Sequence, residues 1–176
     1  MTTNDTPAYR VISIGTLAAH PLWDERGEVR SGHATCTLIS AGDRHILVNP
    51  GLPTQALQAR LGERTNIKAE QITDVFLTSF STDHRRGLSM FEQARWLVHE
   101  PERDAARQRL QQLHSEAQGT GDRELMQWYE AELALLERFE IPPDKIEDNV
   151  DLFPMPGATP GTCGLLLPLP RLTVLI

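Results

Sequence analysis

The sequence predicts a single mixed α/β domain, and three observations predict it. The 176 residues fill one domain and leave no room for a second. Short β-branched runs come first as a hairpin and then in a strand, loop, helix, strand rhythm of the βαβ kind. Two long helical patterns follow, and short apolar segments resume after them.

The elements justify themselves in order. Tyr9 to Gly15 alternates apolar and polar residues around Val11, Ile12 and Ile14, the mark of a strand. Ala18 to Gly32, with Pro21, Gly27 and mixed charges, reads as a long lid-like loop carrying one aromatic, Trp23, as a possible pocket wall. Thr35–Ser40 and His45–Asn49 are strands joined by the turn Ala41-Gly42-Asp43-Arg44. Pro50-Gly51 stops the second of them, and Thr54 N-caps a helix to about Leu61. Lys68–Gln71 is a helical turn. Asp74–Thr78 and Arg95–Val98 are strands, separated by a loop over 79–86 and a short helix near Leu88 to Gln93. Pro101–Ala117 and Asp122–Phe139 are helical patterns split by Gly119-Thr120-Gly121, a helical hairpin over 101–139. Leu125, Tyr129, Leu133 and Leu136 make its apolar stripe. Val150–Phe153, Cys163–Leu167 and Leu172–Ile176 are strands, the second and third preceded by the rigid loop Pro156 to Gly161.

Charge and composition exclude several classes. The 40% hydrophobic and 23% charged content is that of an ordinary globular chain, neither collagen-like nor wholly disordered. The net charge of −7 lies entirely in residues 100–148, which hold 13 acids and 6 bases. Without a basic stripe, neither nucleic acid nor an anionic membrane is an expected partner. The hairpin's charged face serves solubility, or alternatively a dimerisation arm or pocket wall. Two cysteines, Cys36 and Cys163, make no disulfide framework, which places the chain in a reducing cytoplasm. Leu172 to Ile176 is apolar on nearly both faces, as a strand inside a covered sheet would be. A chain ending there is expected to be incomplete at its C-terminus, or else to oligomerise.

Three segments carry a resemblance. Asp74-Val75-Phe76-Leu77-Thr78-Ser79-Phe80-Ser81-Thr82-Asp83-His84-Arg85-Arg86-Gly87-Leu88 resembles the Thr-His-x-His-x-Asp-His loop of the metallo-β-lactamase superfamily. Pro156-Gly157-Ala158-Thr159-Pro160-Gly161 resembles its Pro-Gly-His-Thr-Pro-Gly loop, and Ile46-Leu47-Val48-Asn49-Pro50-Gly51 resembles its strand-end motif, with Asn49 where an Asp usually stands. The resemblance covers 9–100 and 150–176 and is similar to the lactonase-like branches. It implies an αββα fold, represented mainly by its N-terminal half, with the acidic helical hairpin as an insertion.

The departures decide what the resemblance implies for chemistry. The family's first metal site uses three histidines, at positions held here by Ser79, Ser81 and Ala158. Zinc takes imidazole, thiolate or carboxylate, so those three ligands are lost. Of the second site the Asp83-His84 pair remains, as residual metal ligands, a vestigial acid–base pair, or simply a loop-structuring pair. Arg86 stands where the family has glycine, and its guanidinium either replaces a lost metal's charge or faces solvent. Ser79 and Ser81 lack a nucleophile-elbow pattern. Cys163, Asn49 and Trp23 are possible neighbours of the site.

The expected protein is therefore a degenerate, non-catalytic member that binds a small-molecule ligand or a partner, with no cofactor. The alternative is a metal-dependent hydrolase of lactones, esters or thioesters, using zinc or another divalent ion at a remodelled site centred on Asp83 and His84. A third reading is that an active hydrolase has been inactivated at the three ligand positions.

Overall fold

A computed structural model describes residues 6–176. Five strands form the first sheet in sequence order: β1 (Ala8–Ser13), β2 (Cys36–Ala41), β3 (Arg44–Val48), β4 (Asp74–Leu77) and β5 (Arg95–Val98). β1, β2 and β3 pair antiparallel, with Gly42 at positive φ in the tight turn between the second and third. β3, β4 and β5 pair parallel. α1 (Thr54–Arg64) provides the first parallel crossover. The second provides α2, a single turn over Thr82–Arg85, and a 3-10 turn at Leu88–Phe91.

α3 (Glu100–Thr120) ends at Gly121, whose φ of 73° is the left-handed stop that glycine adopts freely. Asp122 caps α4 (Arg123–Leu136), accepting from Leu125 N–H at 3.0 Å. The helical hairpin predicted over 101–139 is thus present. The second sheet follows: β6 (Lys145–Glu147), β7 (Val150–Pro154), β8 (Cys163–Pro168) and β9 (Thr173–Leu175), all antiparallel.

Two apolar layers hold the sheets. Ile39, Ile46, Val48, Phe76 and Leu97 face Ile146, Val150, Cys163, Leu165 and Leu167 between the sheets. On its other face the first sheet presents Leu38, Leu47, Val75, Leu77 and Val98 to Leu57 and Leu61 of α1 and Leu110 and Leu136 of the hairpin. Every residue of β4 is buried, as befits a central parallel strand covered on both faces. Asp74 opens that strand fully buried, satisfied by Thr73, Arg44 and Arg95. That ionic cluster marks one end of the sheet. The C-terminal ends of β3, β4 and β5 share the other, where open α/β sheets place their ligands.

Some expectations change. The 79–86 segment is not all loop, because α2 turns within it. The helix expected at Leu88–Gln93 is a 3-10 turn. β6 was invisible in the sequence, since Lys145-Ile146-Glu147 offers a single apolar residue. The last strand is an edge strand paired to β8 alone. Val174 and Ile176 pack on the core between the sheets, while Leu172 and Leu175 are about half exposed. Among the described residues no helix is long and apolar enough to cross a membrane.

Candidate functional site

The end of β3 sets the frame. Asn49 adopts φ 52°, in the left-handed region that asparagine tolerates better than most residues. Its amide brackets the end of β4: Nδ2 donates to Thr78 Oγ1 and Thr78 N–H donates to Oδ1, both at 2.9 Å. The chain then passes Gly51, where a Cβ would lie 1.9 Å from the Asp83 carbonyl oxygen. That carbonyl accepts from Ala34 N–H at 2.9 Å. The contact fixes α2 against the β3–α1 turn and can be made only by glycine.

Beyond Thr78 the loop turns under the start of α3. Ser79 is buried, and its hydroxyl donates to Glu102 Oε1 at 2.9 Å, which also accepts from Phe80 N–H at 2.8 Å. The other carboxylate oxygen, Oε2, accepts from Thr159 Oγ1 in the 156–161 loop. Glu102 is 2% exposed and ties both loops to the first turn of α3. A Cβ on Gly161 would meet Glu102 N at 1.9 Å, so this second loop lies directly against the helix backbone. His99 Nδ1 adds a 3.0 Å bond to the Gly161 carbonyl.

Ser79, Ser81 and Ala158 line one cleft of about 670 Å³, together with Glu102 and Thr159. The hairpin adds Ala106, Leu110 and Leu113 on α3 and Trp128 on α4, together with the polar Gln108 and Arg109. Arg85 closes one side. It is buried, donates to the Phe80 carbonyl at 3.0 Å, lies 4.2 Å from the Phe80 ring centre, and pairs with Glu132 of α4. The cleft thus combines apolar side chains with a few polar and charged groups, the usual composition of a small-molecule site.

Asp83 and His84 are brought together but do not line this cleft. Asp83 Oδ1 is 3.2 Å from His84 Nδ1 and accepts from the Ser81 hydroxyl. Partial burial opposes ionisation of Asp83, but the hydrogen bonds from Ser81 and His84 outweigh it and hold its carboxyl below the usual range. Arg86 neither caps Asp83 nor points freely to solvent; its guanidinium donates to the Gly32 carbonyl. The Cys163 side chain is fully buried between the sheets, although its N–H donates to Thr78 O at 3.1 Å. Trp23 is 67% exposed, stacks on His20 at 4.5 Å and does not line the cleft.

Does this donor set suit a metal? Two hydroxyls and a methyl occupy the three positions that the sequence marks, and one of those hydroxyls already donates to Glu102. Among the described residues no three His, Cys, Asp or Glu side chains converge on a point. The donors do not fit a zinc ion, which needs three or four such groups.

Sequence reasoning missed Glu102. It read the acids of 100–148 as a solvated face, and a single glutamate in a first helical turn looks like an ordinary response to the helix dipole. The available signal was its place four residues past the end of β5, at the end of the sheet where the site lies. It missed the Arg85–Glu132 pair for the same reason, the partners being 47 residues apart.

The family model of the metallo-beta-lactamase superfamily matches residues 29–176. Several solved structures share the fold. A Thermotoga maritima protein described as a metallo-beta-lactamase is 19% identical with a TM-score of 0.70, over 97% of this chain and 77% of that one. AidC, a dizinc quorum-quenching lactonase, is 19% identical with a TM-score of 0.63, over 80% of this chain and 54% of its own. A mutant form of AiiA from B. thuringiensis, solved with N-decanoyl-L-homoserine bound at its active site, is 19% identical with a TM-score of 0.56, over 80% and 61%. At these identities the likeness is one of fold, and the chain spans little more than half the length of the lactonases. No curated protein sequence matches the chain.

Proposed function

The chain belongs to the metallo-beta-lactamase superfamily, and from that premise we propose that it keeps the family's cleft without its hydrolytic chemistry, as a non-catalytic binder of a small molecule with an apolar body. One observation carries this reading. The Ser79 hydroxyl and the Thr159 hydroxyl both donate to Glu102, so these polar groups of the cleft are engaged in holding its own loops together. The side chain that accepts from Ser79 is the Glu102 carboxylate, which also accepts from Phe80 N–H and Thr159, so this potential base is engaged in joining the loops, and among the described residues no histidine bonds Ser79. The apolar side chains Ala106, Leu110, Leu113 and Trp128 support an acyl or similar chain as the ligand's body. The AiiA variant binds N-decanoyl-L-homoserine, which makes that compound a reasonable probe.

The alternative reading keeps a metal-dependent hydrolase, and the paired Asp83 and His84 favour it. They supply two donors, and a working site would draw the rest from outside the described residues.

One experiment separates the two. Titration of the protein with N-decanoyl-L-homoserine is followed by Trp128 fluorescence, against a Trp128→Phe control that identifies the signal. In parallel, N-decanoyl homoserine lactone is incubated with the protein and added zinc. Saturable quenching with no lactone opening above the zinc-only blank is expected. Zinc-dependent turnover lost in Asp83→Ala would overturn the reading, as would the absence of any saturable signal.

A further inference from the structure

Away from the cleft, between β1 and α1, lies a cavity of about 350 Å³ whose charged lining is all of one sign. Arg60 and Arg64 stand four residues apart near the C-terminal end of α1, so one helix face carries both guanidinium groups. His33 and Ser13 also line it, His33 Nδ1 being bonded to the Ser31 carbonyl at 3.1 Å. The pairing of β1 with β2 slips between Val11 and Ser13, a bulge of the kind that re-aims a side chain. Ser13 Oγ is shielded from solvent and has no hydrogen-bond partner among the described residues.

The counter-charge here is small. Glu63 accepts from Arg60 Nη1 at 2.8 Å, in a pair that is more than half exposed. Arg64 has no carboxylate partner among the described residues, and its carbonyl accepts from Arg10 Nη1 at 2.8 Å, Arg10 itself lining a neighbouring cavity. In a chain of net charge −7, two lining arginines against one glutamate is a local reversal. Cations near a helix C-terminus also complement its dipole. That role requires neither a cavity, nor a bulge, nor an unpaired hydroxyl.

We propose that this cavity binds a small organic oxyanion, a carboxylate or phosphate monoester on an apolar body. Arg64 and Arg60 take the oxyanion, Ser13 donates to it after turning about χ1, and Ile14 and Leu52 pack on the body. The volume is at the small end for ligand pockets, which suits a body of about one ring.

The test is a titration of the ¹⁵N-labelled chain with benzoate, phenyl phosphate and neutral benzyl alcohol at constant ionic strength. Amide shifts at Ser13, Ile14 and His33 are expected to saturate with at least one anion, and the alcohol to bind at least tenfold more weakly. The stronger anion identifies the head group. The double variant Arg60→Gln, Arg64→Gln is expected to lose at least tenfold in affinity with an unchanged unfolding midpoint, since both residues are exposed. Ser13→Ala is expected to weaken binding and serves as an independent variant. Binding of the alcohol as strong as that of the anions, an unchanged response in the double variant, or no saturable shift up to about 10 mM would overturn the proposal. The shifts are read at residues outside the cleft, so this outcome is separate from that of the N-acyl homoserine titration.

Discussion

Ser79 Oγ lies 2.9 Å from Glu102 Oε1, and the hydrogen bond between them joins the loop after β4 to the first turn of α3. Thr159 reaches the same carboxylate from the loop before β8. One buried side chain from the helical hairpin therefore holds both loops of the cleft.

Glu102→Ala is expected to destabilise the protein by about 3 kcal/mol, because it leaves the buried Ser79 hydroxyl and the Phe80 N–H without their acceptor and releases Thr159 to Thr162 alone. Denaturant unfolding monitored by far-UV circular dichroism measures it. Ser79→Ala should cost far less, about 1 kcal/mol, because Oε1 keeps the Phe80 N–H. Equal losses in the two variants would show that the carboxylate is not the common anchor.

Dialysed protein is expected to hold zinc weakly, at well under one ion per chain by elemental analysis, because the site offers two donors at Asp83 and His84. The triple variant Ser79→His, Ser81→His, Ala158→His should take up more, since all three positions line one cleft. Unchanged uptake would mean that the loop backbones, fixed by Glu102, no longer aim those positions at a common point.

The loop between β1 and β2 should loosen with acid. Glu25 bonds the Arg30 guanidinium and the His20 N–H, and these hold its carboxyl below the usual range against some burial. A depressed folded pKa means that the contribution is complete above the ordinary glutamate range and disappears as the pH falls through the lower, folded value. Arg30→Gln should move the Glu25 titration back up, read by carboxyl carbon shifts. The stacked Trp23 should report the loosening at correspondingly higher pH.

Both cysteines should resist labelling. Cys36 and Cys163 are fully buried, and burial raises both thiols above their ordinary value. A thiol-reactive chromophore is expected to find no rapidly reacting group in the native protein and two after unfolding. A fast thiol in the native state would place Cys163 in an open site rather than between the sheets.

How much of this the sequence disclosed depends on the range of the interactions. The strands from β1 to β5 follow from alternation and β-branching, which are local. The hairpin follows from the period of Leu125, Tyr129, Leu133 and Leu136 together with the glycine stop. The convergence of 79, 81 and 158 on one cleft came from motif resemblance alone, because nothing local ties residue 158 to residue 79. Glu102 stayed hidden since its partners are 22, 23 and 57 residues away and its own surroundings read as a solvated helix start. The lone apolar residue of β6 and the pair of buried Arg85 with half-buried Glu132 were missed on the same ground: tertiary packing, rather than local preference, places them.

Within each sheet every strand pairs with its neighbour in sequence. During synthesis, residues 8–98 can complete the first sheet before any strand of the second has left the ribosome. At about 5–20 residues per second, roughly 3–15 s pass before β8 and β9 follow. Throughout that interval Ile39, Ile46, Val48, Phe76 and Leu97 have nothing to cover them. Chains stalled after Glu140 should accordingly be captured by chaperones and cleaved by proteases more readily than chains extended through β9, in which the second sheet covers that face. The order in which this protein is made thus creates a brief, sequence-encoded vulnerability on the very face that later packs against the second sheet.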